Sequence, residues 1–525
     1  MRASARFFVL LAGLVLVAGS AAAENVVRIG QRGDALTLDP YAQAEGPTFT
    51  LLSQMYEPLI NFDADLQLEG ILATSWEAVE PTRWRIELRE GVSFHDGTPF
   101  TSADIVFSIT RAQQTHSDYS PFVDHITEVI AVDDHTVDMI TDVPLPLLPQ
   151  DLTNILIVSE AWMVEHNAVA VQNFSAGDEN YAVRHTNGTG PFELEIREQD
   201  IRTVMTRNED WWGLAEEGAH NVDRAIFLAI SNDSTRIAAL LSGEIDVVTE
   251  PPLQDLRRIE RTGGFKLEEV AQVRTVFLGM DQASAELRSS NIEGANPLAD
   301  VRVRRAMYQA LNMDAIQSRI MRDRSEPAGM LIAPGINGYN EAQDVRFDFD
   351  LEAARALMAD AGYADGFSIR LDCPNNRYVN DEAVCQAVVG MLAQIEVDVS
   401  LEAIPKTLHF PKLERRETDF YMLGWGPGTM DSQDVFTYLY ATGGLWNVGE
   451  YSNPEMDALI EAGTSEFDVA LRSEILHQVW DIAVEDVVYL PLHHQVLVWA
   501  MRDHISTTIS PNNNFQLRWV HMDEQ

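Results

Sequence analysis

The sequence is poor in cysteine and in lysine. Only Cys373 and Cys385 occur, and only three of the 37 basic residues are lysines, so arginine supplies nearly all the positive charge. The 81 acidic residues give a net charge of −44 and a pI near 4.5. A protein of this charge repels nucleic acids and anionic membranes, so neither is an expected partner. Because the acids are spread along the chain, we interpret them as a solvated surface that favours solubility.

Motifs of common enzymes are also missing. We find no G-x-S-x-G nucleophile elbow, no H-E-x-x-H metal helix and no glycine-rich phosphate loop. His493 and His494 are neighbours in an apolar stretch, and adjacent strand residues point to opposite faces, which favours a structural role over joint binding of one metal. We interpret His95-Asp96 as part of a turn. We therefore expect no enzymatic activity, no cofactor and no metal.

One short apolar run stands out, at the amino terminus. Arg2 and Arg6 precede the run 7–18, and small residues follow as far as Ala23. This order is typical of a cleaved signal peptide, and the run is shorter than the roughly 20 residues of a membrane span, which disfavours a retained anchor. No cysteine follows the run, so a lipid anchor is also disfavoured. We expect residues 1–23 to be removed and the mature protein to work in the periplasm of a Gram-negative cell.

Export also bears on the two cysteines. Disulfides form in oxidising compartments, which favours a bond between Cys373 and Cys385, and a pair of inert buried thiols is the alternative. A zinc site needs more ligands than this segment offers.

Strands and helices alternate along the chain, which indicates an α/β protein. The mature chain of about 500 residues is too long for one core, so two lobes or three subdomains are expected. Alternating apolar residues predict a strand over 84–89. Polar caps at Thr101, Asn232 and Asp350 each predict the start of a helix.

The clearest unit is a β-α-β pattern over 367–404. Alternating apolar residues predict a strand at each end, and an apolar helical face lies between them. The loop after the first strand contains Asn375, Asn376 and Arg377. Because ligands of open α/β sheets bind at the carboxyl ends of strands, we expect this loop to face a ligand.

Several segments together resemble a known family. The strongest is LATSWEAVEPTRWRIELREGVSFHDGTPFTSADIVFSI, residues 72–109, and shorter matches lie across the chain: Tyr56-Glu57-Pro58-Leu59, Gly188-Thr189-Gly190-Pro191-Phe192, Arg207-Asn208 with Trp211-Trp212, Gly243-Glu244-Ile245-Asp246, and Val301-Arg302-Val303-Arg304-Arg305-Ala306. In combination these resemble the periplasmic peptide-binding proteins of ABC importers, extracellular solute-binding family 5, with its dipeptide-, oligopeptide- and nickel-binding members.

The resemblance implies the type II periplasmic binding protein fold, in which two lobes and an extra subdomain enclose a cleft. The first lobe would take residues 24–272 and 496–525, with the subdomain inserted at about 57–187, and the second lobe residues 273–495. Crossover strands near Val273–Phe277 and Val488–Val496 would form the hinge. The expected role is capture of short peptides by hinge closure, without chemistry, and delivery by a monomer to an inner-membrane ABC permease.

The resemblance also implies ligand-binding residues. Arg377 matches the arginine that binds the peptide carboxylate, and an exposed loop arginine, or one paired with Asp381 or Glu382, is the alternative. The amine-binding aspartate of the family follows a Gly-Trp pair, but here Gly428-Thr429 occupies its place. Asp431 is the first substitute and Asp434 the second, and Asp431 as a structural acid is the alternative.

Aromatic residues complete the predicted site. Trp425 is expected as a cleft wall, with a core role as the alternative, and Trp446 and Tyr41 are weaker candidates. Because the aspartate region departs from the dipeptide pattern, a different cargo stays open: chelated nickel, haem, or an opine- or sugar-like solute. A periplasmic hydrolase or chaperone is the alternative from a different functional class.

Overall fold

The computed structural model describes residues 24–216 and 218–523, so the predicted signal peptide lies outside the described residues. No helix among them is long and apolar enough to cross a membrane. The strands, in chain order, are β1 Val26–Gln31, β2 Ile60–Phe62, β3 Leu68–Gly70, β4 Ala73–Glu80, β5 Arg83–Leu88, β6 Ile126–Asp133, β7 Thr136–Thr141, β8 Phe192–Glu198, β9 Arg202–Arg207, β10 Arg224–Ala229, β11 Val247–Thr249, β12 Phe265–Met280, β13 Ser325–Pro327, β14 Phe367–Pro374, β15 Val397–Ile404, β16 Phe420–Trp425, β17 Leu490–Arg502, β18 Ile505–Ser506 and β19 His521–Met522. The helices are α1 Gly46–Leu52, α2 Ser102–Ala112, α3 Leu148–Asp151, α4 Glu160–Glu165, α5 Asp233–Ser242, α6 Leu256–Thr262, α7 Val301–Gln309, α8 Met313–Ala315, α9 Leu351–Asp360, α10 Asp381–Leu392, α11 Lys406–Glu414, α12 Ser432–Val435, α13 Pro454–Ser465 and α14 Val469–Glu485.

One mixed sheet runs through the molecule. Its strand order is β15-β14-β16-β12-β17-β11-β1-β10-β9-β8, and β13 pairs with β17. The two longest strands, β12 with 16 residues and β17 with 13, pair antiparallel at the centre. Strands from the early part of the chain lie on one side of this pair, and β14 to β16 lie on the other. The central pair therefore joins the two lobes, and both predicted hinge segments overlap it.

The buried apolar residues form separate cores on the two sides of the central pair. One core draws on residues 27–247 and 497–520, and another draws on residues 276–492. A third lies within residues 41–171 and includes the inner face of the four-stranded sheet β4-β5-β7-β6. This distribution follows the predicted lobes and inserted subdomain, whose boundaries remain predictions.

The local sequence predictions are confirmed. In β5 the buried residues alternate, with Trp84, Ile86 and Leu88 facing the core. The Asn232 and Asp350 side chains accept backbone N–H groups at the starts of α5 and α9. At the start of α2 the backbone N–H of Thr101 donates to the Asp104 carboxylate over 2.9 Å. Each contact satisfies a backbone or side-chain group at the helix terminus.

The β-α-β prediction is confirmed as well. Strands β14 and β15 pair in parallel, with Phe367 opposite Val397 and Pro374 opposite Ile404, and α10 connects them. Cys373 at the end of β14 is disulfide-bonded to Cys385 in α10, as the sequence favours. The bond ties the end of the strand to the helix across the loop that contains Arg377.

Candidate ligand-binding cleft

A cleft of about 900 Å³ opens at the carboxyl end of β14. One wall is the loop 375–380 with the first turns of α10, and the facing wall is the start of α5 with the segment 250–254. Arg274 of β12 and residues 495–498 of β17 also line it. The cleft therefore lies where the two lobes meet the central strand pair, the position at which an open α/β sheet binds ligands.

Arg377 lies in this cleft, as the sequence predicts. Its backbone N–H and that of Tyr378 donate to Oδ2 of Asp381 over 2.8 and 3.0 Å, which fixes the loop on the helix start. The guanidinium lies 5.2 Å from the centre of the Tyr378 ring. Among the described residues no carboxylate pairs with this guanidinium, so Asp381 serves the backbone of the loop and leaves the side chain of Arg377 available to a ligand.

A second arginine of the cleft, Arg274, was not found from the sequence. It is half-buried in β12. Gly426 packs close to its backbone, since a Cβ added to this glycine would lie 3.6 Å from the Arg274 Cα. Burial, together with the nearby charge of Arg377, lowers the pKa of Arg274 to about 10. Arg274 therefore stays protonated at neutral pH, and its guanidinium lies in the same cleft as that of Arg377.

Trp425 lies beside these arginines at the end of β16. The neighbouring Gly424 N–H donates to the Tyr378 hydroxyl over 2.8 Å, which joins the strand end to the Arg377 loop. The Trp425 ring packs against Tyr438 and Trp446, with centroid distances of 5.5 and 6.2 Å. Trp425 and Trp446 are half-buried and form an aromatic cluster next to the cleft, outside its immediate lining.

Asp434 belongs to the same cluster. Its Oδ1 accepts the indole N–H of Trp425 over 2.7 Å and its Oδ2 accepts the N–H of Gly428 over 3.0 Å. Burial raises the pKa of this carboxyl to about 6. Burial and the charge of Asp434 also raise the pKa of Asp151, which ends α3. No cation is paired with Asp434 in the described part of the chain, so a ligand amine would relieve the repulsion between the two acids.

Asp431, the first candidate for binding the peptide amine, is already paired within the protein. Both of its oxygens pair with the Arg472 guanidinium over 2.7 Å, and Asn337 and the N–H of Gln433 donate to them as well. The side chain is almost fully buried. This is the arrangement of the structural acid that the sequence left as the alternative, because no oxygen remains for a ligand amine.

Tyr41 is not brought to the cleft. It is 2% exposed, its hydroxyl donates to the carbonyl of Leu156, and the Arg111 guanidinium lies 5.6 Å from its ring. Tyr41 thus packs in the core that spans residues 41–171.

The two adjacent histidines lie in β17. The His494 Nδ1 is 2.8 Å from the Thr275 hydroxyl, whereas both nitrogens of the buried His493 lack a hydrogen-bond partner among the described residues. Burial lowers the pKa of His493 to about 3, so its imidazole is neutral.

Comparison with known proteins decides the family. The model of the family described as bacterial extracellular solute-binding proteins, family 5 Middle, matches residues 67–447. The chain belongs to this family. A curated relative, the glutathione-binding protein GsiB of Escherichia coli O1:K1, is 24% identical to this family 5 protein over 508 residues, which cover 94% of each chain.

Solved structures of the same fold cover 95% of this family 5 protein. The periplasmic binding protein DppA from Helicobacter pylori in complex with the peptide STSA has a TM-score of 0.79 at 20% identity, over 98% of its own chain. AgaA from A. tumefaciens R10 in complex with agropinic acid has a TM-score of 0.77 at 22% identity, over 99% of its chain. They confirm the predicted α/β fold of a two-lobed periplasmic binding protein.

Proposed function

We propose that this protein captures short peptides in the periplasm and delivers them to an inner-membrane ABC permease without altering them. The observation that supports this most directly is the Arg377 guanidinium, which lies at a strand end in the cleft with no carboxylate partner. An arginine fork forms two parallel hydrogen bonds with a carboxylate, and a peptide terminus supplies one. The predicted signal peptide over residues 1–23 supports export, and a monomer suits hinge closure.

The amine of the peptide is assigned to Asp434. Asp431 already has a guanidinium on both oxygens, so it offers nothing to an ammonium. Asp434 accepts two hydrogen bonds from neutral donors and has no cation paired with it among the described residues, and burial raises its pKa. An ammonium beside it would supply the missing positive charge. Trp425, which donates to the same carboxylate, would lie against the peptide.

Peptide ligands are named for relatives of this chain. GsiB is named for glutathione, and the Helicobacter pylori protein was solved with the peptide STSA. Glutathione is therefore the first ligand to test. The AgaA complex with agropinic acid supports the alternative that the cargo is an opine-like solute, which the released ligand would reveal by its mass.

The test uses the exported, mature protein. Mass spectrometry of the denatured sample is expected to find short peptides, and calorimetry is expected to measure their affinity after ligand removal. Arg377→Gln should weaken binding by at least about 2 kcal/mol, since it removes a charged partner of the carboxylate. Arg32→Gln is the matched control, because Arg32 lines the same cleft but already pairs with Asp233. Unchanged affinity in Arg377→Gln, or release of a non-peptide solute alone, would refute the proposal.

A further inference from the structure

The central strand pair contains a bulge at the cleft. Ala271 of β12 pairs with Val496 of β17, and Thr275 pairs with His494, so residues 272–274 face a single residue of the partner strand. Such bulges bend a strand and redirect a side chain, and they are enriched next to functional sites. Here the bulge lies where β12 passes the cleft, and the residue that precedes the return to regular pairing is Arg274.

The other residues of the bulge are held by protein groups. The Gln495 amide donates to the Gln272 side-chain oxygen over 2.7 Å, and the N–H of Val273 donates to the carbonyl of Pro511 over 3.1 Å. Arg274 differs, because no described residue forms a hydrogen bond or an ion pair with its guanidinium. The bulge therefore presents one arginine to the cleft and anchors its neighbours.

Arg274 differs from the carboxylates of the cleft in having no partner among the described residues. Each carboxylate of the lining has a protein partner: Asp233 pairs with Arg32, Asp381 accepts two backbone N–H groups, Glu250 accepts the Asn513 amide over 2.8 Å, and Glu382 accepts the Gln386 amide over 3.1 Å.

Arg274 and Arg377 have no such partner in the described part of the chain. The four carboxylates of the lining outnumber its three arginines, so the cleft is not positive overall, but the described residues leave the guanidiniums of Arg274 and Arg377 without a hydrogen bond or an ion pair.

We propose that Arg274 binds a second carboxylate, so that the cleft selects peptides with two carboxylates. This inference rests on the proposed function, in which Arg377 binds the first. A ligand with one carboxylate would leave one guanidinium desolvated and unpaired after the lobes close, which is costly. A ligand with two carboxylates would pair with both guanidiniums. The ligand class is a short peptide with an acidic side chain or a γ-linked glutamate in addition to its terminal carboxylate.

The test uses ligands that differ by one charge. Calorimetry on the mature protein would compare Ala-Glu with Ala-Gln, and Ala-Asp with Ala-Asn, so that only the side-chain carboxylate differs. We expect the dicarboxylate of each pair to bind about 30-fold more tightly. In Arg274→Gln this preference should disappear, while Ala-Gln binds as to the unaltered protein. Arg32→Gln should keep the preference, although it changes the net charge equally. Ligand-free melting temperatures would verify that the variants fold.

Each other outcome overturns the inference. If Arg274→Gln weakens Ala-Glu and Ala-Gln equally, both arginines bind one shared carboxylate. If it weakens neither, Arg274 lies outside the site.

A peptide-free arm separates this result from failure of the proposed function. If no peptide binds, but N-acetylglutamate raises the melting temperature of the unaltered protein and not of Arg274→Gln, the two-carboxylate site stands and the peptide assignment falls. If N-acetylglutamate also has no effect, both fall.

Discussion

The carboxylate of Asp434 should make peptide binding depend on pH between 5 and 7.5. Its pKa is raised to about 6, and an ammonium ligand binds the ionised form. At pH 5 about one tenth of the carboxyl is ionised, whereas at pH 7.5 nearly all of it is. The affinity for a peptide amine should therefore fall about tenfold between pH 7.5 and 5, or about 1.4 kcal/mol.

Several groups lie around this carboxylate and bear on the expected profile. Trp425 and Gly428 donate to it and do not titrate in this range. Asp431 is paired with Arg472, and Tyr438 has a pKa raised to about 12. Asp151 is the remaining acid with a raised pKa. The peptide carboxylate and amine titrate near 3.5 and 8, at or beyond the edges of the window.

The assay is calorimetry of Ala-Glu at half-unit pH steps. Asp434→Asn should bind about tenfold more weakly at pH 7.5 and lose the break near pH 6, whereas Asp151→Asn should keep it. N-acetylated Ala-Glu has no amine, so its affinity should show no break.

A profile without a break, or one that persists in Asp434→Asn, would refute the assignment of the amine to Asp434. The folding stability of the ligand-free protein should change with pH in the opposite direction to the affinity for peptide. Because the folded pKa is raised, this group stabilises the fold most below about pH 4, and that contribution is lost as the pH rises through 6.

Two further predictions concern the frame of the site. Asp431→Asn should destabilise the protein by about 3–5 kcal/mol in urea unfolding, because it leaves the buried Arg472 guanidinium unpaired. The folded variant should still bind peptide with unchanged affinity. A loss of affinity without a loss of stability would instead place Asp431 in the binding site. Replacing Cys373 and Cys385 together by alanine should lower the free energy of unfolding by about 3 kcal/mol or less, as expected for a short closed loop. Labelling of the two cysteines of the unaltered protein by iodoacetamide, under denaturing conditions without reductant, would contradict the disulfide.

The parts of the fold that follow from nearby residues could be predicted from the sequence. A helix cap such as Asn232 acts on the residue three positions later, and the alternation in β5 is visible in six residues. The β-α-β unit is similarly local, because its strand, helix and strand follow one another. The position of Arg377 at a strand end follows from that unit, and the resemblance adds the expectation of a carboxylate ligand.

The rest of the site depends on contacts between distant segments. Arg274 lines the cleft because β12 and β17, more than 200 residues apart, pair with a bulge that neither strand shows alone. The roles of Asp431 and Asp434 depend on Arg472, which lies 41 residues beyond Asp431. Tyr41 adopts a positive φ of 79°, a rare backbone conformation, and packs into a core where the sequence suggested a cleft position.

The net charge is strongly negative, yet two guanidiniums of the cleft have no carboxylate partner among the described residues, and distance decides which of these charges a ligand experiences. At physiological ionic strength the Debye length is about 8 Å, so exposed carboxylates farther from the cleft than this are largely screened. The two guanidiniums act on a bound anion at contact distance and in a partly desolvated cleft, where the effective dielectric constant is lower and the attraction is several-fold stronger than in water. The acidic surface therefore favours solubility, while Arg274 and Arg377 favour an anionic cargo despite a net charge of −44.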